Sequence, residues 1–362
     1  MTAMLKRTQG FSLVEFMIAM TIGLFLVSGL VYLIAETSRS RAEIERSSRQ
    51  IENGRYALDR IAEDLRHAGY FSEAPISDAP VTSPAPGALP SPCETTTITT
   101  GNLGLAFPVV AYAGGASLPT ALNACLASQN YKPNTDVLVI RRASTTTYTT
   151  GEANATNATK NTLYLQTGRA GTGSVPFTHK IDKGSATGSF TLERITGGTD
   201  PAFTQAVAPL RRYIVHIYFI SSLDDTGASI PTLKMLELGT GPAFQVYSLA
   251  EGIEDMRFDF GIDVSPKDGV ADDCGTTGMV RFTTCAGGAL ASVALEVDYW
   301  TNVVAVQTYI VARNAEISPN YSDDKTYSLG LAGTVGPHND QYRRHAYTGF
   351  VRLNNVSMPR ED

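Results

Sequence analysis

Residues Phe11 to Ala35 read FSLVEFMIAMTIGLFLVSGLVYLIA, a run of twenty-five in which Glu15 is the one formal charge. At 1.5 Å per residue, a helix of this length covers the ~30 Å hydrocarbon core of a bilayer with some tilt. Lys6 and Arg7 precede it, and basic residues on that side keep the N-terminus cytoplasmic and send the chain beyond Ala35 across the membrane. A secretory signal peptide would have a shorter apolar core and a small-residue cleavage site after it, whereas Leu33-Ile34-Ala35 is a poor site. A plain anchor explains everything except Glu15. A carboxylate inside a spanning helix costs ~2.5 kcal/mol or more, so Glu15 calls for a partner.

The rest of the chain is more polar. Its 362 residues are 43% hydrophobic, enough to bury a sizeable core. Twenty-nine basic against thirty-five acidic residues give a net charge of −6, and no basic stripe marks a nucleic-acid partner.

Helical patterning continues past the apolar run. Ile44, Ile51, Leu58 and Leu65 recur every seven residues with Ile61 and Ala68 beside them, while charged residues from Arg39 to Asp64 cover the other faces. This predicts one apolar stripe on a charged helix, ended by Gly69 in the position of a C-terminal cap. Ser47 and Gly54 interrupt a coiled-coil seam, so the stripe is expected to pack on the protein's own sheet. Gly54, unfavourable in a helix by ~1 kcal/mol relative to Ala, marks a bend or a close contact.

Lys6-Arg7-Thr8-Gln9-Gly10-Phe11-Ser12-Leu13-Val14-Glu15 resembles the N-terminal signal of type IV pilins and type II secretion pseudopilins. The resemblance implies cleavage after Gly10 by a prepilin peptidase, N-methylation of Phe11, and pairing of Glu15 with the Phe11 amine of a neighbouring subunit, which sets the axial register. Loss of Lys6 and Arg7 with the leader would make the mature side chains two units more acidic.

Beyond the helix, six prolines between Pro75 and Pro92 exclude a helix or a central strand. Short apolar and β-branched runs come next, at 137–140, 163–165, 190–192, 213–220, 233–238, 256–260, 295–299, 303–311 and 350–353, and all read as strands. Met256, Phe258 and Phe260 alternate with Arg257 and Asp259, predicting one buried and one wet face. The threonine tracts at 95–100 and 145–150 read as exposed edges or loops, and the Asn154 and Asn157 sequons as accidental. The segments LRRY at 210–213, LAEGIEDMRFDFG at 249–261, VAVQTYIVAR at 304–313 and TDVLVIRR at 135–142 resemble the PilW-type minor pilins of type IV pilus assembly.

The expected fold is therefore α+β and pilin-like: leader 1–10, transmembrane half-helix 11–35, amphipathic half-helix 36–69, Pro-rich linker 70–92 and a periplasmic antiparallel β-rich head 93–362. The continuous helix would be ~90 Å long. The resemblance implies a single-pass inner-membrane protein that passes to the pilus and helps prime assembly at or near its tip. Its partners would be other minor pilins and the major pilin through the helix, the prepilin peptidase, the inner-membrane assembly machinery and lipid. A type II secretion minor pseudopilin and a membrane-anchored adhesin or receptor are the alternatives.

Cys93, Cys125, Cys274 and Cys285 suit disulfides in an exported chain. Proximity favours Cys93 with Cys125 and Cys274 with Cys285 among three pairings. No C-x-x-C and no clustered histidines argue for zinc. Asp263, Asp268, Asp272 and Asp273 resemble a calcium loop faintly, but Ser265 and Lys267 stand at ligand positions and no distal Glu completes it, so an acidic turn is the preferred reading. His67 and His216 read as structural imidazoles. No nucleophile elbow, zinc-protease helix, P-loop or dinucleotide motif occurs, so neither an enzyme nor a cofactor is expected.

Overall fold

Helix formers without proline fill the sequence from Leu13 to His67, and in the computed structural model they make one helix, α1. The structure is described for residues 12–72, 89–155, 161–169, 177–185, 187–197, 204–272, 274, 278–290 and 292–361. The chain divides into two units, Met1–Arg49 and Gln50–Asp362. In the first unit, the apolar run is helical from Leu13 and its residues are exposed except for the half-buried Gly23. By length and composition this helix can cross a membrane.

In the second unit, the helix leads into a mainly antiparallel β head. In chain order come β1 (Val109–Tyr112), α2 (Asn123–Leu126), β2 (Val137–Tyr148), α3 (Thr150–Ala155), β3 (Leu163–Arg169), β4 (Phe177–Lys183), β5 (Glu193–Gly197), β6 (Thr204–Val207) and β7 (Leu210–Ser221). Then come β8 (Thr232–Leu238), β9 (Phe244–Glu251), β10 (Ile253–Ile262), α4 (Val293–Thr301), β11 (Val303–Arg313), β12 (Tyr327–Ser328), β13 (Thr334–Val335), β14 (Arg344–Arg352) and α5 (Asn354–Ser357). Among the described residues, nine strands form one sheet along the path β1-β2-β7-β3-β5-β6, with β4 beside β3 and β8-β9 beside the far half of β7. A second sheet has the order β10-β11-β14.

The architecture is the α+β one expected from the apolar helix and the alternating runs. Three local readings are corrected. Residues 295–299 lie in the helix α4, not in a strand: Ser292 caps it by accepting the Leu295 N–H at 3.3 Å, and Glu296 sits in its first turn. Leu295, Val297 and Tyr299 alternate with Glu296 and Asp298 in the sequence, but burial does not follow that period: Leu295 is 42% exposed, and the adjacent Tyr299 and Trp300 are both buried. Residues 190–192 carry no strand; β5 begins at Glu193. In β10, Met256, Phe258 and Phe260 are buried as expected, but so is Asp259, whose Oδ2 accepts the Leu331 N–H at 2.9 Å under the β12–β13 hairpin.

The buried row of α1 includes Ile61 and Leu65 as expected, continues to Ala68 just past the helix with Leu58 packed beside it, and departs from the expected stripe toward its N-terminal side. Ile44 is 67% and Ile51 41% exposed, whereas Gln50, Gly54, Ala57, Ile61, Asp64 and Leu65 are buried. Small residues let the helix approach the sheet closely. A methyl group on Gly54 would lie within 2.8 Å of Cζ and Cδ2 of Tyr347 on β14, so the close-contact reading of this glycine holds. Gly69 has φ +74° and donates its N–H to Arg141 O at 3.0 Å, ending the helical path against β2. Threonines 145–147 are exposed at the end of β2, whereas residues 95–100 are not strand. Most of the Pro-rich stretch and both sequons' threonines lie outside the described residues.

Candidate functional site: the N-terminal helix and its seat

Two features of α1 carry chemistry, one in each unit. In the first unit, Glu15 lies in the first turn, where a negative charge is favoured by the helix dipole. Its Oε2 accepts the Ser12 N–H at 3.0 Å, in the manner of a capping box. Among the described residues this is the bond Glu15 makes, and its side chain is exposed amid exposed apolar neighbours. Gly10 and Phe11 lie outside the described residues.

In the second unit, residues 50–67 of α1 span both sheets. Gln50 donates its Nε2 to the carbonyls of Ala312, at 2.7 Å, and Arg343, at 3.0 Å. Asn53 donates to Glu251 O at 3.0 Å. One turn and a half further on, Leu58 meets Gly349 of β14. Near the end, Asp64 is 1% exposed and faces the large sheet. Its Oδ1 accepts from Arg142 Nε on β2 at 2.7 Å. Its Oδ2 lies 2.5 Å from His216 Nδ1 and accepts the Tyr218 hydroxyl at 3.0 Å, both on β7. Behind His216, Glu237 on β8 lies 3.8 Å from Nε2 and pairs with Arg212. His216 and Tyr218 share one face because residues two apart on a strand point the same way.

Electrostatics follow from that geometry. Burial opposes ionisation of Asp64, but the hydrogen bond and charge of His216, with Arg142, outweigh it and hold the carboxyl well below the usual range. Burial likewise opposes charging of His216, but its hydrogen bond to the Asp64 carboxylate and the nearby Glu237 carboxylate outweigh it and raise the imidazole above its ordinary value. Burial beside the Asp64 carboxylate pushes the Tyr218 hydroxyl far up, keeping it a donor. The arrangement holds the Asp64 carboxylate between three donors on two strands, which ties the end of α1 to the large sheet.

The other singled-out residues fall elsewhere. Cys93 is joined to Cys125 and Cys274 to Cys285. Asp263 is buried, and its oxygens accept the N–H groups of Asp268 at 3.3 Å and Gly269 at 2.9 Å and Arg360 Nη1 at 3.1 Å. Asp272 accepts Val264 N–H at 2.6 Å and Ser265 N–H at 3.2 Å, and Asp268 accepts Val270 N–H at 3.0 Å, so these acids close a turn. Asp273 lies outside the described residues. No group of three or more His, Cys, Asp or Glu among the described residues could hold a metal ion. His67 is exposed, with Nδ1 2.9 Å from Glu63 O, while His216 is the structural imidazole that the sequence suggested. Asp64 and Gln50 were not singled out by sequence reasoning; a polar residue on the helix row shared with Gly54, Ala57 and Ile61 is the signal that would have found them.

Comparison with known proteins bears on both features. Residues 217–355, from β7 to α5, match the family of type IV pilus-assembly protein W. Residues 5–31, containing Glu15 and most of the apolar run, match the prokaryotic N-terminal methylation motif. No curated protein matches the chain, and no solved structure does. Both matched families are structural components of pilus assembly rather than enzymes. Together, an apolar N-terminal helix that bears the methylation motif and a β-rich region that matches protein W support a PilW-type, prepilin-like protein with a role in type IV pilus assembly.

Proposed function

We propose that this protein is a minor pilin that primes pilus assembly with other minor pilins and resides at or near the filament tip. In this reading the prepilin peptidase cuts after Gly10, Phe11 becomes the N-methylated first residue, and the head occupies the periplasm until the subunit enters the filament. The observation that carries it is Glu15, one acid in an exposed apolar run. Charge left alone in lipid costs several kcal/mol, roughly, and pairing with a neighbouring subunit's amine removes most of that cost while fixing the axial step. A head of roughly three hundred residues on one helix favours the filament end, where lateral neighbours are fewest. Its helix would pack with the major pilin below, and the motor and peptidase remain partners.

The test is Glu15→Ala in cells, read by membrane fractionation, N-terminal sequencing and pilus counts. Expected are normal insertion, a methylated Phe11 start and loss of pili. Unchanged piliation refutes the register role, and an N-terminus after Ala35 refutes the prepilin class. Deletion that leaves pili intact but abolishes attachment would favour an adhesin instead.

A further inference from the structure

The large sheet ends at β9, which pairs with β8 alone. Gly239 N–H bonds Ala243 O at 2.8 Å at the mouth of the β8–β9 hairpin. The register then runs without interruption from Leu238↔Phe244 to Lys234↔Ser248. Bonded and non-bonded pairs alternate in an antiparallel ladder, so Gln245 and Tyr247 bond β8 while Phe244, Val246 and Ser248 direct their N–H and C=O groups away from it. Among the described residues nothing takes those three donors and three acceptors.

An open edge is normally guarded by charge, proline or a bulge. Residues 238–250 hold no charged side chain, the one proline, Pro242, precedes the strand, and the register shift comes only after Ser248, at Leu233/Lys234. Residues 245–248 are exposed, with Val246 38% and Tyr247 43% accessible. Two other edges differ. β1 is buried at Val109, Val110 and Ala111, and β14 carries Arg344, His345 and Arg352 with Tyr347 and Gly349 turned to α1.

From this edge we infer that β9 accepts an added strand: an extended, uncharged segment of another polypeptide that extends the sheet by hydrogen-bonding Phe244, Val246 and Ser248. The row of alternating donors and acceptors selects an extended backbone, and the charge that touches the strand, Asp225 on the Ser248 hydroxyl, is already paired with Lys234 at 2.9 Å, so the edge offers no free counter-ion to a charged strand, which would lose hydration without compensation. A second copy of this chain, paired about a twofold axis perpendicular to the sheet, is the competing occupant that the test distinguishes. The inference does not depend on the priming or tip role.

The test compares amide hydrogen exchange, resolved by residue, for the full-length chain purified in detergent and in membranes of pilus-forming cells. Expected is at least tenfold slowing at Phe244, Val246 and Ser248 in membranes, with Gln245 and Tyr247 unchanged, because an added strand protects alternate amides only. Val246→Lys, which places a charge on the edge, abolishes that slowing, and Val246→Thr, a good strand former, retains it. Both variants are first shown to melt within about 2 °C of the parent; Phe244→Lys replaces Val246→Lys if the latter does not. Equal protection at all five amides, no protection, or protection indifferent to the charge overturns the proposal. So does photo-crosslinking from position 246 to a species of twice the chain's mass, which would identify self-pairing.

Discussion

Asp64→Asn is the substitution that probes the seat of α1 most directly. The carboxylate serves three donors: Arg142 at 2.7 Å, His216 at 2.5 Å and Tyr218 at 3.0 Å. An amide keeps one acceptor oxygen and turns a donor toward groups that also donate. Hydrogen bonds to charged partners contribute ~1.5–3 kcal/mol each, and stripping one member from a buried ion pair costs ~3–5 kcal/mol. A loss of about 3 kcal/mol is therefore expected, lowering Tm by roughly 6–12 °C. The dependence on pH gives the sharper check. Asp64 is depressed, so its contribution is complete above an unfolded pKa of ~3.9 and falls away as acid reaches the folded value. His216 is raised, so its contribution is complete below an unfolded pKa of ~6.5 and is lost as pH rises through the folded value. Circular-dichroism melts of the detergent-solubilised chain should show the widest gap between parent and variant from about pH 4 to 6.5, narrowing on both sides. A gap below 2 °C at pH 6, or one that widens steadily toward pH 9, would refute this account of the anchor.

Gly54→Ala is expected to destabilise despite better helix propensity. Propensity gains ~1 kcal/mol, but the added methyl overlaps the Tyr347 ring and overpacking costs ~1–3 kcal/mol. The net loss of about 1 kcal/mol should vanish in Gly54→Ala/Tyr347→Ala relative to Tyr347→Ala, measured by urea midpoints. Replacing both Cys93 and Cys125 by Ser opens a 32-residue separation and should cost ~4 kcal/mol, against ~3 kcal/mol for the 11-residue separation of Cys274 and Cys285; equal melting of parent and variant would show that neither bond constrains the unfolded chain.

The parts of this molecule legible in its sequence are those written locally. The apolar run announces itself because hydrocarbon spans need a continuous stretch, and Glu15 stands out against it. Most strands are legible from alternation, since one wetted face imposes a period of two. The helix seat was not. Asp64 sits between Glu63 and Leu65 on a densely charged helix, and its counter-charges lie 78 and 152 residues downstream. Apolar residues at sevens pointed to a row through Ile44 and Ile51, yet the head turns inward a row whose first member is Gln50. Asp259 went the same way: its period fits a wet face, but the distant β12–β13 hairpin covers it. In each case a long-range cover decided burial, and no window of sequence contains it.

That displaced row explains why the seat is polar. A stripe of Ile and Leu repeated every seven residues packs nearly as well after sliding by two turns, because apolar contact is not directional. Gln50 and Asp64 do not slide: each satisfies fixed partners, carbonyls of 312 and 343 for one and side chains on β2 and β7 for the other. They stand fourteen residues apart, ~21 Å along the helix, so together they fix both its rotation and its position on the two sheets. Tyr347 over Gly54 excludes registers that would bring a larger side chain there. Buried ions add little net stability when fully paired, and their effect here is to make one placement of the helix on the head much better than its neighbours. For the assembly role proposed above, that definition would keep residues 50–67 in one placement on the two sheets.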